Sequence, residues 1–484
     1  MCHVHVARSA VPAHLTNEAS HHPISRTLPR QKKGNIVSSK SEQSPSPSEV
    51  GFQVFSRRTL FAAAGAVGVG AVAAGYGHKP STTPTTPATT PAAPAGDAVT
   101  VGSNYSDEKP KAAFAAAVAA TGVPASINTV DHNSYQENFN TYIQQPDDVV
   151  SWFAGYRMRA FASKGVIGDI SDVWAGLTDM SEGFKSASTA LDGKQYFVPL
   201  YFYPWAVHYR KSLFTEKGYA VPTTWDEFKA LCDKMKADGI TPLAAANDGG
   251  WPQMGMFDMI NLRTNGYDFH VSLMGGKESW TDDKVKKVFS NWAEITGYYQ
   301  PDVNGRTWQD AATALGKKEV GMYLLGTFVT SNFDPAKDPA AQEIIDDIDF
   351  FAFPAIDPAH GQDAVEAPID GFMMAAKPKN EAGAKALLGG LGQAAAIDAY
   401  IALDPSVVAA NSKANTSGYN ALQKKSAELV GAAKYIAQFL DRDTDPAFAS
   451  EVVGKALQDF LADNGQIDSI LSSVEEQKKT YTFE

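Results

Sequence analysis

Nucleophile, metal-ligand and acid–base patterns are the first things to look for in this 484-residue chain, and none of quality is present. There is no His-Glu-x-x-His and no Gly-x-Ser-x-Gly. His132, His208, His270 and His360 are scattered singly through the body, which does not build a metal cluster. Asp147-Asp148, Asp282-Asp283 and Asp346-Asp347 are sequence neighbours. Glycosidase carboxylates must instead face each other across a bond, so these pairs read as caps and solvated charge. Aromatic residues stand out instead. Trp152, Phe153, Tyr156, Tyr201, Tyr203, Trp251 and Phe328 fall at expected strand ends and crossovers, near Asn104, Tyr105, Asn133, Gln136 and Asp370. Flat rings match the apolar C–H faces of a sugar, and Asn, Gln and Asp match its rim of hydroxyls. The chemistry these residues point to is binding rather than reaction, with no cofactor. Trp152 and Trp251 read as ligand contacts, one from each side. Trp205, Tyr209 and Tyr267 read as core. Asp370, Asn133 and Gln136 are open between a ligand contact and a structural role.

The elements that must position these residues alternate between strand and helix. Strands are expected at 98–101, 126–130 and 148–152, with helices at 109–120 and 133–142 between them. That order implies a parallel sheet flanked by helices, an α/β fold whose binding crevice lies beyond the carboxyl ends of the strands. Asn104-Tyr105, Asn133 and Trp152-Phe153 end or follow those strands. The aromatic and β-branched run from Gln195 to Tyr209 is cut by Pro199 and Pro204, which cannot donate to a ladder. Two strands meeting at a crossover fit that run. Thr224 with Glu227 has capping-box spacing and opens a helix whose one face is Trp225, Phe228, Leu231, Cys232 and Met235. Further on, helices are expected through Arg263 and at 284–298, 308–315, 381–403, 421–441 and 447–462. A buried strand is expected at 320–326, and returning strands at 350–354 and 366–375.

Three stretches carry a family resemblance. Asp192-Gly193-Lys194-Gln195-Tyr196-Phe197-Val198-Pro199 leads into the first crossover, and Leu213-Phe214 to Gly218 precedes Pro222-Thr223-Thr224-Trp225-Asp226-Glu227-Phe228. Val320 to Phe328 is similar to a third motif, with Phe328 where a Trp is usual. In this order they resemble the extracellular solute-binding proteins of ABC importers, in the sugar-binding group that includes maltose-binding protein. The resemblance covers about residues 98–484. It implies a type II periplasmic-binding-protein fold, two α/β lobes joined by crossover hinge strands. Lobe 1 would comprise 98–202 and 371–405, and lobe 2 would comprise 203–370 and 406–484. It also implies a monomer that captures a small-molecule carbohydrate, an oligosaccharide or glycoside, by hinge closure. The carbohydrate would pass to the membrane permease subunits of the ABC transporter. A different solute, such as a polyamine or peptide, and a secreted carbohydrate-active enzyme stay open as alternatives.

The formal net charge is −12, although the first 80 residues hold nine Lys/Arg against three Glu. An acidic body argues against nucleic acid as a partner, because phosphate binding needs a basic face. With Cys2 in the N-terminal extension and Cys232 in the body, no disulfide forms within the body. Residues 1–55 are polar and aperiodic and read as disordered. Residues 56–76 open on Ser56-Arg57-Arg58-Thr59-Leu60-Phe61 and continue weakly apolar to Gly75, which suits a twin-arginine export signal. Ala71-Val72-Ala73 offers a cleavage site, and Tyr76 stands where a lipid-bearing Cys would follow Gly75. Residues 77–97, rich in Pro, Thr and Ala, read as an extended tether. The expected location is extracytoplasmic, at the cell surface or secreted.

Overall fold

The computed structural model describes residues 98–483, so the tail, signal and tether expected over 1–97 lie outside the described residues. Twelve strands are present among them. They are β1 Val99–Ser103, β2 Ala125–Thr129, β3 Val149–Phe153, β4 Val198–Phe202, β5 Trp205–Arg210 and β6 Thr241–Ala244. Then come β7 Val320–Gly326, β8 Ile348–Phe351, β9 Ala364–Glu366, β10 Ile369–Met374, β11 Val408–Ala409 and β12 Tyr435–Ala437. One sheet has the order β11-β4-β10-β3-β1-β2, another β6-β7-β5-β8, and β12 pairs with β9. β1, β2 and β3 run parallel, as the alternation with helices requires.

The two-proline run behaves as its chemistry dictates. β4 lies in the six-stranded sheet and β5 in the four-stranded one, with Tyr203-Pro204 crossing between them. Pro199 sits inside β4, where the register against β10 shifts between Asp370 and Gly371. A bulge is where a strand tolerates a residue without an N–H. Gly371 faces it so closely that a Cβ would lie 2.0 Å from the Val198 carbonyl oxygen. A second crossing leads from β9 to β10. β11 belongs to the first sheet although it follows residue 405, and β10 enters that sheet at Ile369.

Three local expectations are corrected. The segment expected to cross back at 350–354 is β8, which stays in the second sheet against β5. The helix expected at 381–403 is two, Glu381–Leu391 and Ala394–Ile401, broken at Gly392-Gln393. The helix expected at 421–441 ends at Ala432. Lys434 and Tyr435 donate their backbone N–H groups to the Asp363 carbonyl, and β12 continues parallel to β9. Tyr435 also stacks on Tyr267 at 4.8 Å. Strand pairing there outweighs the local helical pattern.

The helix Trp225–Ala237 starts with the expected capping box, Thr224 and Glu227 each bonding the other's backbone N–H. Its Trp225, Phe228, Leu231, Cys232 and Met235 are all buried, and burial pushes the Cys232 thiol up, out of nucleophilic reach. Phe228, 1% exposed, packs against Trp225 and Phe353. Phe228→Ala is expected to cost about 3–5 kcal/mol, read as a lower urea midpoint of the ligand-free protein.

Burial pushes the His208 and His270 imidazoles down to about 4. Unfolded histidine takes a proton near pH 6.5, so below that pH the unfolded chain binds protons the folded one refuses. Their contribution to stability is complete above about pH 6.5 and falls as the pH drops toward 4. His270→Leu, which removes one such group, is expected to shrink the drop in melting temperature between pH 7 and pH 5. An unchanged drop would refute this account.

Candidate functional site

The loops that follow β1 and β2 meet the second lobe around a cavity of about 180 Å³. From the first lobe come Asn104-Tyr105, placed by the end of β1, and His132, Asn133 and Gln136, on the helix His132–Tyr142. Asp131 caps that helix by accepting from the Ser134 N–H. The crossover supplies Tyr201, Tyr203, Trp205 and Asp370, and the second lobe supplies Trp251, Trp308 and Phe328. Asp248 lines the cavity beside Trp251, and the last wall is Phe439, Asp441 and Arg442.

Nine of the twelve residues expected from sequence come together here: Asn104, Tyr105, Asn133, Gln136, Tyr201, Tyr203, Trp251, Phe328 and Asp370. Trp152, Phe153 and Tyr156 do not line the cavity, and the expected stacking of Trp152 on a ligand is corrected. β3 does not end freely, because Trp152 and Phe153 pair with Gly371 and Asp370 of β10. The Trp152 ring turns to the helix side, 3.5 Å from Phe139 and parallel to it, with Phe161 edge-on. Phe153 lies behind the wall, with the Arg442 guanidinium 3.8 Å over its ring. The Tyr156 hydroxyl donates to the Thr482 carbonyl at 3.4 Å. Trp205 is 2% exposed, yet its ring still forms part of the wall. Tyr209 is core as expected, and Tyr267 is half-buried against Tyr435.

Polar groups form a continuous run around the wall. His132 sits between two amides, Gln136 Nε2 at 2.7 Å and Asn104 Nδ2 at 3.3 Å. Arg157 Nη1 donates to Gln136 Oε1 at 2.7 Å, and Arg157 pairs with Asp441 at 3.1 Å. Arg442 donates to Asp370 Oδ1 at 2.8 Å and to the Tyr203 hydroxyl at 3.0 Å. Burial, reinforced by the Arg442 charge, pushes His132 down to about 4, so its ring is neutral at pH 7. Opposite stands a group of rings: Trp251 lies 6.3 Å from Trp205, 6.2 Å from Phe328 and 6.4 Å from Phe439, and Trp308 is 5.3 Å from Phe328.

The lobes meet over the cavity. Gly249, at φ +76°, approaches so closely that a Cβ would lie 2.7 Å from Asn133 Nδ2. Lys109 Nζ donates to the Phe333 carbonyl at 2.7 Å, Glu108 pairs with Lys337, and Gln309 reaches Asp107 at 3.4 Å. The cavity wall draws on elements of both sheets.

Arg442 and Asp441 were missed in the sequence. Their signal is Asp441-Arg442-Asp443-Thr444-Asp445, carboxylates crowded around one guanidinium just after the apolar Phe439-Leu440. Trp308 opens a helix capped by Thr307 and could have been found the same way as Trp251. Among the described residues, no group of three or more His, Cys, Asp or Glu is arranged to hold a metal ion.

Residues 104–397 match the family model of the bacterial extracellular solute-binding proteins. This chain belongs to that family. The binding protein is similar to the bacterial solute receptor AcbH, described as having an exclusive substrate preference for β-D-galactopyranose. Identity is 45%, and the match covers 79% of this chain and 98% of that one with a TM-score of 0.75. It is also similar, at 25% identity over 70% of this chain and 73% of the relative, to an extracellular-binding protein of an ABC transporter from Pyrococcus horikoshii. A probable sugar-binding periplasmic protein of Mesorhizobium japonicum matches at 29% over 43% of this chain, where the match spans half of that relative. The type II fold read from the sequence is the fold of this binding protein.

Proposed function

We propose that this binding protein captures a single neutral hexose, β-D-galactopyranose or a close stereoisomer, and presents it to the membrane subunits of an ABC importer. The observation that carries this reading is the cavity itself. At about 180 Å³ it is smaller than the roughly 300–1,000 Å³ typical of sites for drug-sized ligands, which favours one pyranose ring. The wall of Trp251, Trp308 and Phe328 meets the apolar face of such a ring, and Asp370, Arg442, Tyr203 and Gln136 meet its hydroxyls. The preference described for AcbH, 45% identical to this chain, points to the same sugar. This reading proposes one ring where the sequence points to an oligosaccharide or glycoside.

Hinge closure supplies the mechanism. A ligand that contacts both lobes stabilises only the closed arrangement and shifts the population toward it, and the closed surface is what the permease reads. The sugar leaves unaltered, the protein acts as a monomer, and Arg57-Arg58 directs export of the folded protein. Isothermal titration with galactose, glucose and maltose tests the ligand. Galactose should bind most tightly and be recovered intact, and tighter binding of maltose would overturn the single-ring reading. Lys at both 57 and 58 should leave precursor in the cytoplasm, and normal secretion of that variant would rule out the twin-arginine route.

A further inference from the structure

Asp404 has no role in the site as described so far. It follows the helix Ala394–Ile401, and its backbone N–H donates to the Tyr400 carbonyl at 2.9 Å. Pro405 comes next, its carbonyl taking the Asn420 amide at 3.1 Å, and the Ser406 carbonyl takes the Thr327 hydroxyl at 2.9 Å. The segment is therefore clamped from several sides, and Asp404 is held rather than mobile. Its side chain lines the cavity beside Tyr400 and Ser406, is 2% exposed, and has one oxygen, Oδ1, with no hydrogen-bond donor.

Of the other carboxylates of the wall, Asp370 receives Arg442 and Tyr203, Asp131 caps its helix, and Asp107 takes the Gln309 amide. Asp441 meets Arg157 through Oδ2, and its Oδ1, without a hydrogen-bond donor, faces the Arg442 guanidinium at 3.8 Å, whereas Asp404 has no such ion pair among the described residues. Asp248 is exposed and solvated. The nearby Lys109 donates a hydrogen bond to the Phe333 carbonyl. A buried carboxylate oxygen without a donor is costly, and such groups persist where a partner arrives from outside. Burial pushes the Asp404 carboxyl above its ordinary range, although Ser406 and the Lys109 charge act in the opposite direction.

We infer that Asp404 is a specificity-determining residue of the sugar site, its Oδ1 accepting a hydrogen bond from one hydroxyl of the bound hexose. The inference rests on the proposed sugar-binding function and adds a defined reader to it. A site built to bond a hydroxyl rejects the analogue that lacks it, because the protein group is then left unpaired.

The test is a cycle between protein and ligand. Galactose and its 2-, 3-, 4- and 6-deoxy analogues are titrated into the parent, Asp404→Asn and Asp404→Ala. Both variants should weaken galactose by about ten- to a hundredfold, the range for bonds to charged groups. One deoxy sugar should lose a similar factor in the parent and lose nothing further in Asp404→Ala. Both variants should also melt higher than the parent without ligand, since an unpaired buried carboxylate has been removed, which a purely structural Asp would not allow. Galactose binding with additive losses for every deoxy sugar, or a lower ligand-free melting temperature in both variants, overturns the inference alone. Failure of the parent to bind galactose overturns the proposed sugar and this inference with it.

Discussion

Arg442→Met is expected to destabilise the ligand-free binding protein by about 3–5 kcal/mol, the cost of breaking a buried pair by removing one partner. Arg442 is 7% exposed and Asp370 9%. Their 2.8 Å contact is accompanied by the Tyr203 hydroxyl at 3.0 Å and by the Phe153 ring beneath the guanidinium. Methionine fills much of the volume but leaves Asp370 a buried carboxylate without its cation. Asp441 loses a second neighbour at 3.8 Å, though it keeps Arg157. Adding Asp370→Asn should recover much of the lost stability, because the stranded charge is gone. Sugar affinity should stay poor in the double variant, because the pair proposed to meet the sugar's hydroxyls is missing. Chemical denaturation and titration separate the two effects. If the single variant melts with the parent, the pair does not hold the crossover.

Two tryptophans that look equivalent in sequence should behave oppositely. Trp251 is half-buried in the ring wall of the cavity, whereas Trp152 is 2% exposed and stacked on Phe139 behind it. Trp251→Ala is expected to weaken sugar binding by about thirtyfold, roughly 2 kcal/mol for an anchoring aromatic. Its ligand-free stability should change little by comparison. Trp152→Ala should cost about 3–5 kcal/mol of stability, as for other large core truncations. The intrinsic affinity of its folded fraction should remain near the parent's. A reversal, with Trp152→Ala losing sugar at unchanged stability, would mean that the ring reaches ligand in solution.

The difference between these tryptophans shows where sequence reasoning stops. Alternating strands and helices, Pro199 and Pro204, and the Thr224–Glu227 box all speak locally, and the structure answers each of them. Loop residues after β1 and β2, such as Asn104 and Asn133, were legible because strand ends point into a crevice whatever the packing. Trp152 was misplaced because its ring's direction depends on β10, which arrives from far along the chain to cover the end of β3. Arg442 was missed for the same reason: its partners Asp370 and Tyr203 belong to distant segments, and its own neighbourhood reads as helix.

That distant pairing also bears on how the molecule is made. β10 is the strand that closes both β3 and β4, and it emerges only after most of the second lobe has been synthesised. Until then β3 has one unpaired edge and β4 two, since β11 comes later still, and such edges invite pairing with another chain. The search for β10 is a long loop closure, and such non-local pairing slows folding. A chain cut before Ile369 should be unable to complete its sheet and should self-associate more readily than the full-length chain.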